Sequence, residues 1–129
     1  HIQQNDFKVL TIDSCGVSQM AMDYQLKKLG MLSAKANDGM EAIHLLKQHK
    51  YNLVLMELVL PKYDGIDIVK EIKKMDRCRD QKTVIFVITA YSDKERQNLC
   101  RVYGINEYIV KPLFISNLKE LINKYFVNV

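Results

Sequence analysis

Apolar runs of strand length alternate along this chain with stretches in which apolar residues recur every three or four positions. FKVLTID, residues 7–13, reads as a strand. From residue 17 to 29, Met22, Leu26 and Leu29 fall at i, i+4 and i+7, one face of an amphipathic helix, and Gly30 stops it. LSAKA, residues 32–36, is a short strand, and Asn37-Asp38-Gly39 makes a turn and cap for a helix running to residue 48. YNLVLME, residues 51–57, is continuously apolar, the pattern of a strand covered on both faces. Asp64 can cap a helix over residues 65–75, with Ile68, Ile72 and Met75 on its buried stripe. TVIFVITA, residues 83–90, is the richest in β-branched residues. Ser92 is placed to cap the next helix, where Leu99, Val102 and Tyr103 form the stripe and Gly104 ends it. EYIVKP, residues 107–112, is a fifth strand, and a last helix over 115–126 carries Leu118, Leu121, Ile122 and Tyr125.

Five repeats of strand then helix, with no internal linker or low-complexity segment, predict an α/β domain with a parallel sheet and helices on both faces. In such folds the working crevice lies outside the carboxyl ends of the strands. Those ends carry Asp13-Ser14, Glu57, Thr89-Ala90 and Lys111-Pro112. Any one polar residue there has a bland explanation, since loops are wet. Together, two carboxylates, a hydroxyl and an ammonium make a polar site on an apolar scaffold.

Composition narrows this picture. The chain has 129 residues, read as one domain over 1–129 with room for a sizeable core. Its net charge of +4 is too small to argue for nucleic acid unless it clusters. In the densest basic stretch, Lys70, Lys73, Lys74, Arg77, Arg79 and Lys82 alternate with Asp67, Glu71, Asp76 and Asp80, which reads as a solvated helix face and loop. Cys15, Cys78 and Cys100 match no zinc spacing and read as reduced thiols, Cys15 as a buried or indifferent one. No apolar run approaches membrane-spanning length, and no signal-peptide layout is present. The first residue is His1 rather than Met, which suggests a piece excised from a longer protein or a trimmed one. His44 and His49 read as surface residues, Asp64 as a cap rather than a ligand, and Tyr51, Tyr63 and Tyr91 as half-buried packing.

From KVLTIDS through NDGMEAI, YNLVLMELVLPKYDG and VIFVITA to EYIVKPL, nearly the whole chain resembles the receiver domain of two-component response regulators and hybrid histidine kinases. The long MDRCRDQKT connection looks more like hybrid-kinase receivers. The resemblance implies a flavodoxin-like doubly wound (βα)5 fold with a five-stranded parallel sheet in the order 2-1-3-4-5. It implies that two acids after the first strand and a carbonyl two residues beyond the phosphoaccepting Asp hold Mg2+. Here those positions are Asp13, Ser14 and Val59, and the phosphoacceptor position is Glu57. Thr89 matches the switch hydroxyl, Tyr108 the switch aromatic and Lys111 the conserved-type lysine. The partners implied are a histidine kinase, a histidine phosphotransfer protein or another domain of the same chain. The family's output face would include Tyr108 and residues near Arg96, Arg101 and Lys119. The location implied is the cytoplasm, including the cytoplasmic part of a membrane-bound hybrid kinase, or the nucleus of a eukaryote. Contact of this domain with a membrane or nucleic acid is not expected.

Two positions depart from the pattern. Ser14 removes a charged metal ligand, and Mg2+ demands near-ideal octahedral oxygen geometry. Glu57 moves its carboxylate by about 1.5 Å, one C–C bond, where a displacement of about 1 Å can cost a hundredfold. The expectation is a degenerate pseudo-receiver. Glu57, Thr89 and Lys111 form a degenerate phosphoacceptor site with no catalytic set, and Asp13, Glu57 and Val59 make a weak Mg2+ site at most, with no other cofactor. Glu57 then either mimics a phosphoryl group or simply pairs with Lys111. The alternative is a phosphorylation-competent receiver that uses Glu57, or one in which Glu57 is an engineered phosphomimic of Asp. A flavodoxin-like small-molecule binder is disfavoured, because the loops after the first and third strands lack a Gly/Ser/Thr-rich phosphate cradle.

Overall fold

A computed structural model of the protein describes residues 6–127. The elements are β1 (Val9–Ile12), α1 (Gly16–Lys28), β2 (Ser33–Ala36), α2 (Gly39–Gln48), β3 (Leu53–Met56), β4 (Val59–Leu60), β5 (Tyr63–Asp64), α3 (Gly65–Asp76), β6 (Val84–Thr89), α4 (Lys94–Val102), β7 (Glu107–Val110) and α5 (Ile115–Tyr125). The five long strands form one parallel sheet in the order β2-β1-β3-β6-β7. Counted without the short hairpin β4–β5, this is the expected order 2-1-3-4-5 of a flavodoxin-like fold. The antiparallel hairpin itself was not foreseen; it forms in the Pro-containing loop, turning at Lys62 with φ of 63°.

Side chains alternate across the strands, so each strand feeds two cores. Leu10, Ile12, Val54, Met56, Ile85 and Val87 pack against α2, α3 and α4. Val9, Leu53, Leu55, Phe86 and Ile88 pack against α1 and α5 through Met22, Leu26, Leu118 and Ile122. One buried β1 position on the α1 side is polar: the Thr11 hydroxyl donates to Asp23 at 2.8 Å, as does Ser33 at 2.7 Å.

Asp38 and Asp64 cap their helices as expected, accepting from the N–H groups of Glu41 (2.8 Å) and Ile66 (3.0 Å). Gly65, the first residue of α3, lies against the hairpin so closely that a Cβ would sit 2.6 Å from Leu58 Cα. The fourth helix corrects the sequence reading twice. Asp93, not Ser92, is the cap, its carboxylate accepting from Glu95 N–H at 3.0 Å. The residue α4 buries is Cys100, while Leu99 is 41% and Val102 79% exposed and Tyr103 half-buried. The predicted stripe has helical spacing but lies mostly off the sheet, because this short helix rests on the core through one residue. Tyr51 is buried and Tyr91 exposed, so of the three tyrosines only Tyr63 is half-buried.

Part of the basic stretch is structural. Asp76, at the end of α3, is buried and accepts from the backbone and hydroxyl of Thr83 at 2.9 and 3.0 Å. Lys82 caps the same helix end by donating to the carbonyls of Asp76 (2.6 Å) and Arg79 (2.9 Å).

Candidate functional site

The sheet's hydrogen-bond ladder runs one step past several strands and so fixes the backbone of the residues that follow. Asp13 N–H donates to Ala36 at 3.1 Å, Glu57 N–H to Ile12 at 2.9 Å and Lys111 N–H to Thr89 at 2.7 Å. Asp13, Glu57, Thr89 and Lys111 are thereby set at one edge of the sheet. Asp13 and Glu57 are 2% and 6% exposed.

Lys111 joins the first two. Its ammonium donates to Asp13 Oδ2 at 3.0 Å, Ser18 Oγ at 3.1 Å and Glu57 Oε1 at 3.2 Å. An ammonium has three protons, and all three are used. Burial lowers the Lys111 pKa, but the bond to Asp13, the charge of Asp13 and then that of Glu57 outweigh it, so the net shift is upward. The amine is charged throughout the neutral range. Ser18 belongs to this group although sequence reasoning passed over it. A serine in the first turn of a helix two positions past a glycine carries no distinguishing signal.

The outer oxygens are also engaged. Asp13 Oδ1 accepts Cys15 N–H at 2.9 Å. Glu57 Oε2 accepts the N–H groups of Leu58 (2.7 Å) and Val59 (3.2 Å), so the longer side chain folds forward over its own loop. Ser14 is exposed. As arranged, this donor set does not fit Mg2+: two carboxylates are present, every oxygen of both already accepts a hydrogen bond, and the charge between them is met by Lys111. Among the described residues no group of three or more His, Cys, Asp and Glu side chains is placed to hold a metal ion.

Neither Thr89 nor Tyr108 is hydrogen-bonded to Glu57. Thr89 is buried, and its hydroxyl accepts Tyr91 N–H at 3.4 Å. The Tyr108 ring is half-buried and its hydroxyl donates to the Tyr91 carbonyl at 2.9 Å. Burial pushes the Tyr108 phenol up. A cavity of about 530 Å³ is lined by Leu58, Thr89, Tyr91, Arg96 and Tyr108 among others. Arg96 crosses from α4 to bond Asp64 at 2.7 Å, so Asp64 is both cap and ion-pair partner.

Cys15 is exposed, not buried, at the N-terminus of α1. Hydrogen bonds from the Ser18 backbone, the Ser18 side chain and the Val17 backbone lower its thiol pKa. Cys100 is buried and its pKa is raised, chiefly by that burial. Alkylation with iodoacetamide near neutral pH is therefore expected to modify Cys15 first and Cys100 last, read by peptide mass mapping; modification of Cys100 ahead of Cys15 would contradict the arrangement. His44 and His49 are exposed, as expected.

The response regulator receiver domain model matches residues 9–123. The chain is 29% identical over 126 residues to chemotaxis protein CheY-3 of Vibrio cholerae, covering 97% of this chain and 95% of that protein. It is 26% identical over 121 residues to hybrid signal transduction histidine kinase F of Dictyostelium discoideum, covering 92% of this chain but 11% of the kinase. It likewise spans only 39% of the probable C4-dicarboxylate response regulator DctR of Priestia megaterium. Response regulator protein TrrA of Thermotoga maritima, solved with Mg2+-BeF, superposes with a TM-score of 0.80 at 26% identity, over 93% of this chain and 99% of that one. The complex of the Saccharomyces cerevisiae histidine phosphotransfer protein Ypd1 with the receiver domain of Ssk1 matches at TM-score 0.82 and 21% identity, over 95% and 93% of the chains, which shows the shared fold.

Proposed function

The chain belongs to the response regulator receiver domain family, and on that premise we propose that it is a signalling module of a two-component phosphorelay that acts by protein–protein contact and does not undergo ordinary aspartyl phosphorylation. The observation that carries this reading is the conformation of Glu57. Its carboxylate is held by Lys111 on one oxygen and by two backbone N–H groups on the other. Phosphoryl transfer depends on an in-line nucleophile with cationic charge free to act on the transferring group. Here the nucleophile position is occupied by a tethered side chain, and Lys111 spends its protons on the site itself.

Glu57 bonds to Lys111 and not to Thr89, which favours simple pairing over phosphoryl mimicry. Exposed apolar side chains support a contact role. Val17, Met20, Tyr24 and Phe114 stand out on α1 and the turn after β7, and Leu99 and Val102 on α4. The partner in this reading is a histidine kinase, a histidine phosphotransfer protein or another domain of the same chain, and the module itself is not an enzyme. No helix among the described residues is long and apolar enough to cross a membrane. We place the domain in the cytoplasm or, in a eukaryote, the nucleus. Titration with a histidine phosphotransfer protein, with and without acetyl phosphate and Mg2+, is expected to give the same Kd; a change of about tenfold or more, 1.4 kcal/mol, would contradict the reading.

A further inference from the structure

We propose that the cavity lined by the β4–β5 hairpin, the loop into α4 and β7 is a binding site for a small quaternary ammonium ion. The proposal goes beyond the reading of Glu57 and stands whether or not that residue accepts a phosphoryl group. The cavity measures about 530 Å³, within the roughly 300–1,000 Å³ of small-molecule sites. Three of its lining residues are tyrosines, Tyr63, Tyr91 and Tyr108. The face of an aromatic ring carries partial negative charge and attracts a cation placed over it. Elsewhere the chain satisfies that attraction itself. Lysines stand over the rings of Tyr24 (Lys28, 5.8 Å), Tyr103 (Lys70, 4.8 Å) and Tyr125 (Lys124, 5.4 Å). Among the described residues no lysine or arginine covers the three cavity rings in this way.

The charges of the lining also favour a cation. Asp64 and Asp93 stand there against one guanidinium, that of Arg96. Arg96 is bonded to Asp64 at 2.7 Å, so those two charges offset each other. Asp93 has no ion-pair partner among the described residues; its carboxylate accepts the backbone N–H groups of Glu95 and Arg96 at 3.0 and 3.5 Å. The rest of the lining is Thr89 and three aliphatic side chains. A primary ammonium entering this space would need an acceptor for each of its protons. The acceptors are largely taken: Asp64 Oδ1 by Arg96 and the Ile66 N–H, Asp93 Oδ1 by α4, and the Tyr91 carbonyl by the Tyr108 hydroxyl. A quaternary head carries the charge with no N–H to satisfy, and its methyl groups match rings and aliphatic walls.

The test is a nuclear magnetic resonance titration of the whole chain with choline, with neohexyl alcohol (the uncharged analogue with carbon in place of nitrogen) and with ethanolamine. Choline is expected to give saturable shifts at the amides of Tyr91, Arg96 and Tyr108 with a Kd below about 20 mM. Neohexyl alcohol and ethanolamine are expected to bind at least about tenfold more weakly. Tyr91 is 58% exposed, so its replacement leaves the core intact. Tyr91→Leu is expected to weaken choline about fivefold, and Tyr91→Phe, which keeps the ring, to stay within about twofold of the parent. Asp93→Asn keeps a helix cap and removes the charge, and is expected to weaken binding several-fold. Arg96→Gln removes the lining's own cation and is expected to tighten it. Absence of saturable shifts with choline overturns the proposal, as do saturable shifts confined to other parts of the chain. Neohexyl alcohol binding as well as choline would reduce the site to an apolar hollow, and Tyr91→Leu binding like the parent would remove the rings from the account; either result overturns it.

Discussion

Lys111→Met is expected to destabilise the fold by about 3–5 kcal/mol, the range for breaking one member out of a buried ion group. The variant keeps the aliphatic stem and removes only the charge and its three bonds. Asp13 and Glu57 would then face each other as uncompensated carboxylates, and Ser18 would lose its donor. The lysine side chain is 24% exposed, so water screens part of the pairing and the lower half of the range is expected. Lys111→Arg should recover only part of the loss, because a planar guanidinium cannot point three protons at acceptors arranged around a single nitrogen. Urea unfolding of the three proteins measures this. A loss below about 0.5 kcal/mol for Lys111→Met, the scale of an ordinary surface change, would mean that the carboxylates are satisfied without the lysine.

Asp76→Ala is expected to cost about 3 kcal/mol, for a reason remote from the site. This carboxylate ties the end of α3 to the start of β6 across the long connection, accepting from Thr83 at 2.9 and 3.0 Å with Lys50 at 3.7 Å and Arg79 at 3.9 Å. Its removal leaves the buried Thr83 N–H without its acceptor, leaves the Thr83 hydroxyl only the bond it accepts from Lys50, and sets Lys50, Arg79 and Lys82 facing one another. Lys50 already has a lowered pKa, first from burial and then from Arg79 and Lys82, with Asp76 opposing. A base whose folded value lies below its ordinary 10.5 makes the fold more stable as pH rises between the two values, because the unfolded chain then holds the extra proton. Losing Asp76 widens that window, so the deficit of Asp76→Ala should shrink as pH approaches 10.5. Thermal unfolding at neutral and alkaline pH reads both effects, and a deficit that grows with pH would contradict the assignment.

Much of the site was readable because parallel sheets impose a simple rule: whatever ends a strand lands at the same edge. Asp13, Glu57, Thr89 and Lys111 were collected that way, and the ladder bonds extending past the strands explain why the rule worked here. Asp38 and Asp64 were legible as caps because each precedes a glycine that opens a helix. What failed shares a cause. Periodicity locates a stripe but does not say which way it faces, so Leu99 and Val102 were assigned to the core while Cys100 took the buried position. The same limit hid Ser18, whose role depends on a lysine 93 residues away. The β4–β5 hairpin has strands of two residues each, too short for any period to register.

We propose that the acceptor position of this receiver domain, Glu57, is not phosphorylated in the ordinary way. Intact-mass spectrometry after incubation with acetyl phosphate and Mg2+ tests it, comparing the parent with a Ser14→Asp, Glu57→Asp double variant. No added phosphoryl group is expected on the parent and one on the double variant. Addition to the parent, mapped to Glu57, would contradict it.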